Sequence, residues 1–215
     1  MNVAAPSTVP RRRTGFGKYR TIVLSIALFL VFDLGVLILN FHTSSEIRAD
    51  AAGVNLAGRQ RMLSQRMAKA LLELDRAPAG SPGAANSLLE LRNTYTLFDT
   101  TLAAFANGGE TTGGDGRALM LAPVGAERAR AALAEAQKAW QPLRTALDSV
   151  LRGDADALPT AVRLASTGNL TLLRLMNELT TALERVAAGE ADRLRLIQTA
   201  GIALALGNFF LILFH

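Results

Sequence analysis

Two long apolar runs stand near the ends of the chain, and the stretch between them repeats apolar positions at helical spacing. The first run, Ile22–Phe41, covers 20 residues broken only by Asp33 and the terminal Asn40; the second, Ile197–Phe214, covers 18 residues and has no charge. At 1.5 Å per residue each reaches about 27–30 Å, the thickness of a bilayer hydrocarbon core, so both read as transmembrane helices. A cleaved signal peptide is the competing reading of the first. Its apolar part exceeds the usual ~7–15 residues and no small-residue cleavage site follows it, which favours a span.

Between the runs the chain is rich in Ala, Leu and Arg and has three breaks, at Ala77–Gly83, Asn107–Gly116 and Gly153–Asp156. Gly and Pro at these points supply turn geometry and stop helices. Three breaks leave four helices, the first over Thr43–Arg76. In the second, Leu88, Leu91, Tyr95, Phe98, Leu102 and Phe105 recur at steps of three and four, with Ser87 and Glu90 read as a capping box. In the third, Ala129, Leu133, Ala136, Trp140, Leu143, Leu147 and Val150 do the same, and Pro142 is expected to kink the helix. The fourth carries Val162, Ala165, Asn169, Leu172, Met176, Leu179, Leu183 and Val186. The pattern predicts an all-α fold: two transmembrane helices (21–41 and 197–214) flanking an up-down-up-down antiparallel four-helix bundle over 42–196. The glycine-rich NGGETTGGDG segment lacks the Lys-Ser/Thr ending of a phosphate loop and the ligand spacing of a calcium loop, so it reads as a flexible connector.

Charge then fixes orientation. Arg11, Arg12, Arg13, Lys18 and Arg20 crowd the segment before the first run, which keeps the tail 1–20 in the cytoplasm and places 42–196 in the periplasm of a two-pass inner-membrane protein. The loop holds 18 Lys/Arg against 17 Asp/Glu, so the formal net charge of +5 comes from the tail and gives no support to nucleic-acid binding. The chain has no cysteine, which excludes disulfides and thiol chemistry. His42 and His215 lie at opposite ends with no ligand-spaced partners, so no metal or cofactor is expected.

The most informative stretch is Val54–Lys69, VNLAGRQRMLSQRMAK. At 100° per residue, Leu56, Leu63, Met67, Ala70 and Leu74 form a core face, while Arg48, Asn55, Arg59, Arg66, Lys69 and Glu73 form a solvent sector. Arg61 belongs to neither. It falls with Val54, Ala57, Ser64, Gln65, Ala68 and Leu72 on a face of small and weakly polar side chains, where a lone guanidinium needs a partner. An intramolecular ion pair with Asp99 or Glu178 is one reading. The other is a two-fold dimer in which Val54, Ala57 and Ala68 allow close approach and two Arg61 side chains meet at the axis around a small anion.

AGVNLAGRQRMLSQRMAK resembles the signature of the type IV pili methyl-accepting chemotaxis transducer N-terminal domain. Further matches run through FDTTLAAFANGG (98–109), AWQPLRTALDSVLRGD (139–154) and NLTLLRLMNELTTALER (169–185), so the resemblance covers about residues 45–190. That family is similar to the periplasmic domain of nitrate- and nitrite-sensing histidine kinases. In those sensors the first arginine of an Arg-Met-x-Ser-x-Arg pattern binds nitrate across the dimer axis. The resemblance carries that role to Arg61, with Arg66 as the supporting basic residue and Ser64 and Gln65 inside the motif. Gln65 stands where the nitrate sensors carry an aromatic residue.

The expected function is therefore a membrane-bound sensor module that homodimerises, takes a small anion at the interface and drives a cytoplasmic kinase, cyclase or chemotaxis partner not present in this chain. A membrane-anchored helical protein that associates with other receptors and binds no small ligand is the alternative. No nucleophile–base pair or metal constellation points to an enzyme. Asp33, costly against lipid, is expected to face a helix partner, and Ala203 with Gly207 forms a small-xxx-small packing pair.

Overall fold

The computed structural model describes residues 16–213, so most of the basic tail and the last residue of the second apolar run lie outside it. The chain divides into two compact units: residues 44–192, and the remainder at either end. The protein is mostly helical. Its order is α1 (Phe16–Arg76), α2 (Pro82–Asn107), β1 (Gly109–Thr112), β2 (Ala118–Leu121), α3 (Glu127–Leu151), a 3-10 turn (Ala155–Ala157) and α4 (Leu158–Leu213).

In the 44–192 unit the apolar seams meet in one buried cluster. Leu56, Leu63 and Met67 of α1 join Leu91, Phe98 and Phe105 of α2, Leu133, Trp140 and Leu147 of α3, and Leu172, Met176 and Leu179 of α4. Phe98 and Trp140 pack with ring centroids 4.5 Å apart, the kind of tilted aromatic pair that adds to burial. Helix α2 starts earlier than its sequence suggested. Ser81 is the N-cap, its Oγ accepting from the Ala84 N–H at 3.2 Å, and a proline opens the first turn. Ser87 lies six residues past that cap, buried within the helix, so the Ser87/Glu90 capping box does not form, and Glu90 accepts from Arg66 instead. Helix α3 continues through Pro142, which removes one backbone donor without ending the helix.

The glycine-rich segment is not a flexible connector but an antiparallel hairpin, which corrects the all-α expectation. Gly109 pairs with Leu121, Glu110 with Met120, Thr111 with Leu119 and Thr112 with Ala118. Gly108 ends α2 with φ 74°, in the left-handed region that favours glycine, and sends the chain into β1. The hairpin is then docked. The Thr101 and Thr111 hydroxyls lie 2.7 Å apart in the core, and the Val124 N–H donates to Phe105 O at 2.9 Å after β2.

In the other unit, Ile22–Ser44 is the one stretch among the described residues that is long and apolar enough to cross a membrane, with mean hydropathy 2.9. Polar side chains tie the two apolar segments together: Gln198 Nε2 donates to Asn40 Oδ1 at 2.7 Å, and Asn208 Nδ2 to Ser25 O at 3.3 Å. Their close approach is at Gly201, where a Cβ would lie 3.4 Å from Val36 Cγ2; at Gly207 it would meet nothing within 4 Å. The Ala203/Gly207 pair therefore does not hold these two segments together. Asp33 is exposed on α1.

Candidate ligand and interface surface on the first helix

The helical spacing of Leu56, Leu63, Met67 and Ala70 buries those side chains as their wheel position requires, and Leu74 packs half-buried against the same cluster. The buried sector is wider than the leucines alone mark out, because Ala57, Gln60, Ser64 and Leu71 join it. This divides the small-residue face. Ala57 is 0% exposed, so it belongs to the intramolecular core and is unavailable to a partner chain. Ser64 is buried too, its hydroxyl donating to the Arg61 carbonyl one turn back at 2.9 Å, which removes it from the surface that carries Arg61. Val54 and Ala68 are half-buried, while Arg61 and Gln65 are exposed.

What remains exposed is a narrower stripe. Arg61, Gln65 and Leu72 follow one another along α1, with Met62 beside Arg61 and the half-buried Val54 and Gly58 continuing the line towards the N-terminus. Met62 is 47% and Leu72 38% exposed, and a Cβ on Gly58 would meet open space. Among the described residues the Arg61 guanidinium has no hydrogen bond or ion pair. Neither carboxylate named for an intramolecular pair reaches it. Asp99 accepts from Trp140 Nε1 at 2.9 Å and pairs with Arg144 at 2.9 Å, and Glu178 pairs with Arg174 on its own helix.

The other two arginines of the motif are committed elsewhere. Arg66 reaches Glu90 of α2, with Nε and a terminal nitrogen each 3.0 Å from the same carboxylate oxygen. Arg59, placed in the solvent sector by its wheel position, is instead half-buried under the hairpin. It donates to Thr112 O at 3.0 Å and Gly113 O at 2.8 Å. A hairpin folding back over α1 supplies those acceptors, and a helical wheel contains no such information. The Arg48 side chain lies outside the described residues.

Sequence reasoning missed a polar network joining α2 to α3. Trp140 and Arg144 meet Asp99, and the Tyr95 hydroxyl donates to Asp148. Burial, reinforced by the bond to Asp148, pushes the Tyr95 hydroxyl up to about 12, and Asp99 raises Arg144. The signal was present, since a buried Tyr or Trp usually finds a partner for its polar end, and both sat on predicted seams. Gln60 was missed as well: it is 0% exposed and, among the described residues, neither amide atom has a partner.

A model of the type IV pili methyl-accepting chemotaxis transducer N-terminal domain matches residues 42–166. No curated protein and no solved structure matches the chain. The helical segment carrying the arginine motif is thus a domain of the kind that forms the sensory input of chemotaxis transducers. The chain belongs to the PilJ family.

Proposed function

We propose that the chain is a two-pass inner-membrane sensor module. Its 42–196 segment would form a periplasmic four-helix bundle that homodimerises along the exposed stripe of α1 and binds a small anion, nitrate or nitrite in the first instance, between two Arg61 side chains. The observation that carries this reading is the exposed Arg61 guanidinium, which has no partner among the described residues and stands beside exposed Met62, with exposed Leu72 three turns further along the helix. A planar fork suits a planar oxyanion, and an isologous interface brings two identical forks together. The exposed apolar side chains of both terminal segments, Leu28 and Leu30 on one and Leu204 and Phe209 on the other, support two membrane passages. The output would pass to a cytoplasmic signalling partner.

Thermal unfolding of the full chain in nanodiscs, titrated with nitrate, tests the binding claim. A saturable rise is expected, worth about 2.7 kcal/mol at a hundred times the dissociation constant. Arg61→Ala should abolish it, and Arg163→Ala, exposed on α4, should leave it unchanged. If a broad panel of inorganic anions gives no saturable shift with the unaltered protein, Arg61 is no anion site.

A further inference from the structure

A concave surface separate from the α1 stripe lies on the 44–192 unit and contains no residue of α1. It is a groove of about 850 Å³ between one face of α3 and one face of α4. Small side chains shape it. Ala131, Ala132 and Ala139 on α3 and Ala182 on α4 leave room beside Leu175, where larger residues would have filled the space between the helices.

The charges around this groove are unevenly matched. Lys138 pairs with Glu135 at 2.7 Å and Arg174 pairs with Glu178, each within its own helix. Arg128 and Arg185 also line the groove and, among the described residues, make no hydrogen bond or ion pair. Since α3 and α4 are joined by the short segment containing the 3-10 turn, these two arginines both lie at the end of the groove farthest from that turn. Two uncompensated guanidiniums at one end of a concave surface attract a carboxylate, which each can grip with two parallel donors. The alanine and leucine floor beside them has no use for a small hydrated ion but does cover a hydrocarbon body.

We propose that the α3–α4 groove binds an organic carboxylate with an apolar body, its carboxylate held by Arg128 and Arg185 and its hydrocarbon laid over Ala131, Ala132, Leu175 and Ala182. The charge selects the anionic head and the floor selects the body. Affinity therefore rises with each methylene laid on the floor, by up to about fourfold where burial is complete.

Calorimetric titration of the full chain in nanodiscs with acetate, hexanoate, benzoate and benzyl alcohol tests this. Hexanoate and benzoate should bind saturably and at least tenfold more tightly than acetate, and benzyl alcohol should not bind. Arg128→Gln and Arg185→Gln should each weaken hexanoate at least tenfold. Ala131→Leu, at an exposed helical position that tolerates leucine, should weaken hexanoate while sparing acetate, because it fills the floor and leaves the charge. Arg61→Ala should change none of these values, which keeps this site separable from the one on α1. The proposal is overturned if no carboxylate binds saturably, if acetate binds as well as hexanoate, or if Arg61→Ala removes hexanoate binding while Arg128→Gln and Arg185→Gln do not.

Discussion

Replacing Gln60 by leucine should make the domain more stable, although it removes a polar residue beside the family motif. Gln60 has no exposed surface, and among the described residues neither its Nε2 nor its Oε1 has a hydrogen-bond partner. Folding strips water from the amide and returns nothing, a loss of about 1–3 kcal/mol for a buried unsatisfied group. Leucine is close in volume, so it removes that loss, leaves little cavity and adds apolar burial against a core of Leu56, Leu63, Met67 and Phe98. The net gain is about 1–3 kcal/mol. At ~2–4 °C per kcal/mol for a domain of roughly 150 residues, the midpoint should rise by about 2–12 °C. Urea unfolding of the 44–192 segment followed by circular dichroism measures the free energy, and a thermal melt measures the shift. Gln60→Ala separates the two contributions, since it removes the amide but opens a cavity, and should come out near neutral or below. Gln60→Glu should destabilise strongly, because a carboxylate there has no counter-charge. A leucine variant no more stable than the parent would refute the argument and would mean that a buried water satisfies the amide.

Three further outcomes follow from other contacts. Arg59→Ala should release the hairpin without unfolding the helices: hydrogen exchange at residues 111–119 should accelerate at least tenfold while α3 amides stay protected, and equal acceleration in both would show that Arg59 supports the whole core. The raised Tyr95 hydroxyl stabilises the fold fully below its ordinary value near 10 and less as pH climbs through about 12. The stability advantage over Tyr95→Phe should therefore be flat at neutral pH and shrink in that alkaline window; a constant gap across it refutes the assignment. On α1, Gly58→Leu should weaken self-association and leave the monomer folded, whereas Ala57→Leu should overpack the core and lower the midpoint, and analytical ultracentrifugation beside melting curves distinguishes the two.

The helical seams were legible because they are local. Every α3 residue marked by spacing, from Ala129 to Val150, is buried, and on α4 Ala165, Leu172, Met176 and Leu179 are buried while Asn169 between them is half-buried. The arginine motif was legible as a family signature, but its three arginines could not be sorted from one helix alone. A wheel ranks side chains by angle on an isolated cylinder, and Arg59 is removed from solvent by a hairpin some fifty residues away, with Ala57 falling on the buried side because α1 packs against several neighbours. The hairpin itself was hidden by its glycines, which raise the prior for a loop; what orders it are a threonine pair and main-chain acceptors that no short-range pattern displays. Asp99 was noticed as a candidate partner for Arg61, yet the nearer claim of Trp140 and Arg144 becomes visible only when α2 and α3 lie side by side.

The way Arg59 grips the hairpin bears on how this protein can diverge. Among the described residues its guanidinium hydrogen-bonds to the carbonyls of Thr112 and Gly113, a group every amino acid possesses, so α1 recognises the hairpin tip by its path and not by its lettering. Side chains at exposed hairpin positions such as Glu110 on β1 and Arg117 at the tip are then free to drift, provided the loop keeps its length. The constraint falls on the bends. Gly113 would bring a Cβ to 2.9 Å from Asp115 Oδ1 and 3.3 Å from Arg117 O, and Gly116 sits at φ 82°. Among relatives, an insertion or deletion between Thr112 and Ala118 should therefore go together with a change at the Arg59 position, while simple replacements there should not.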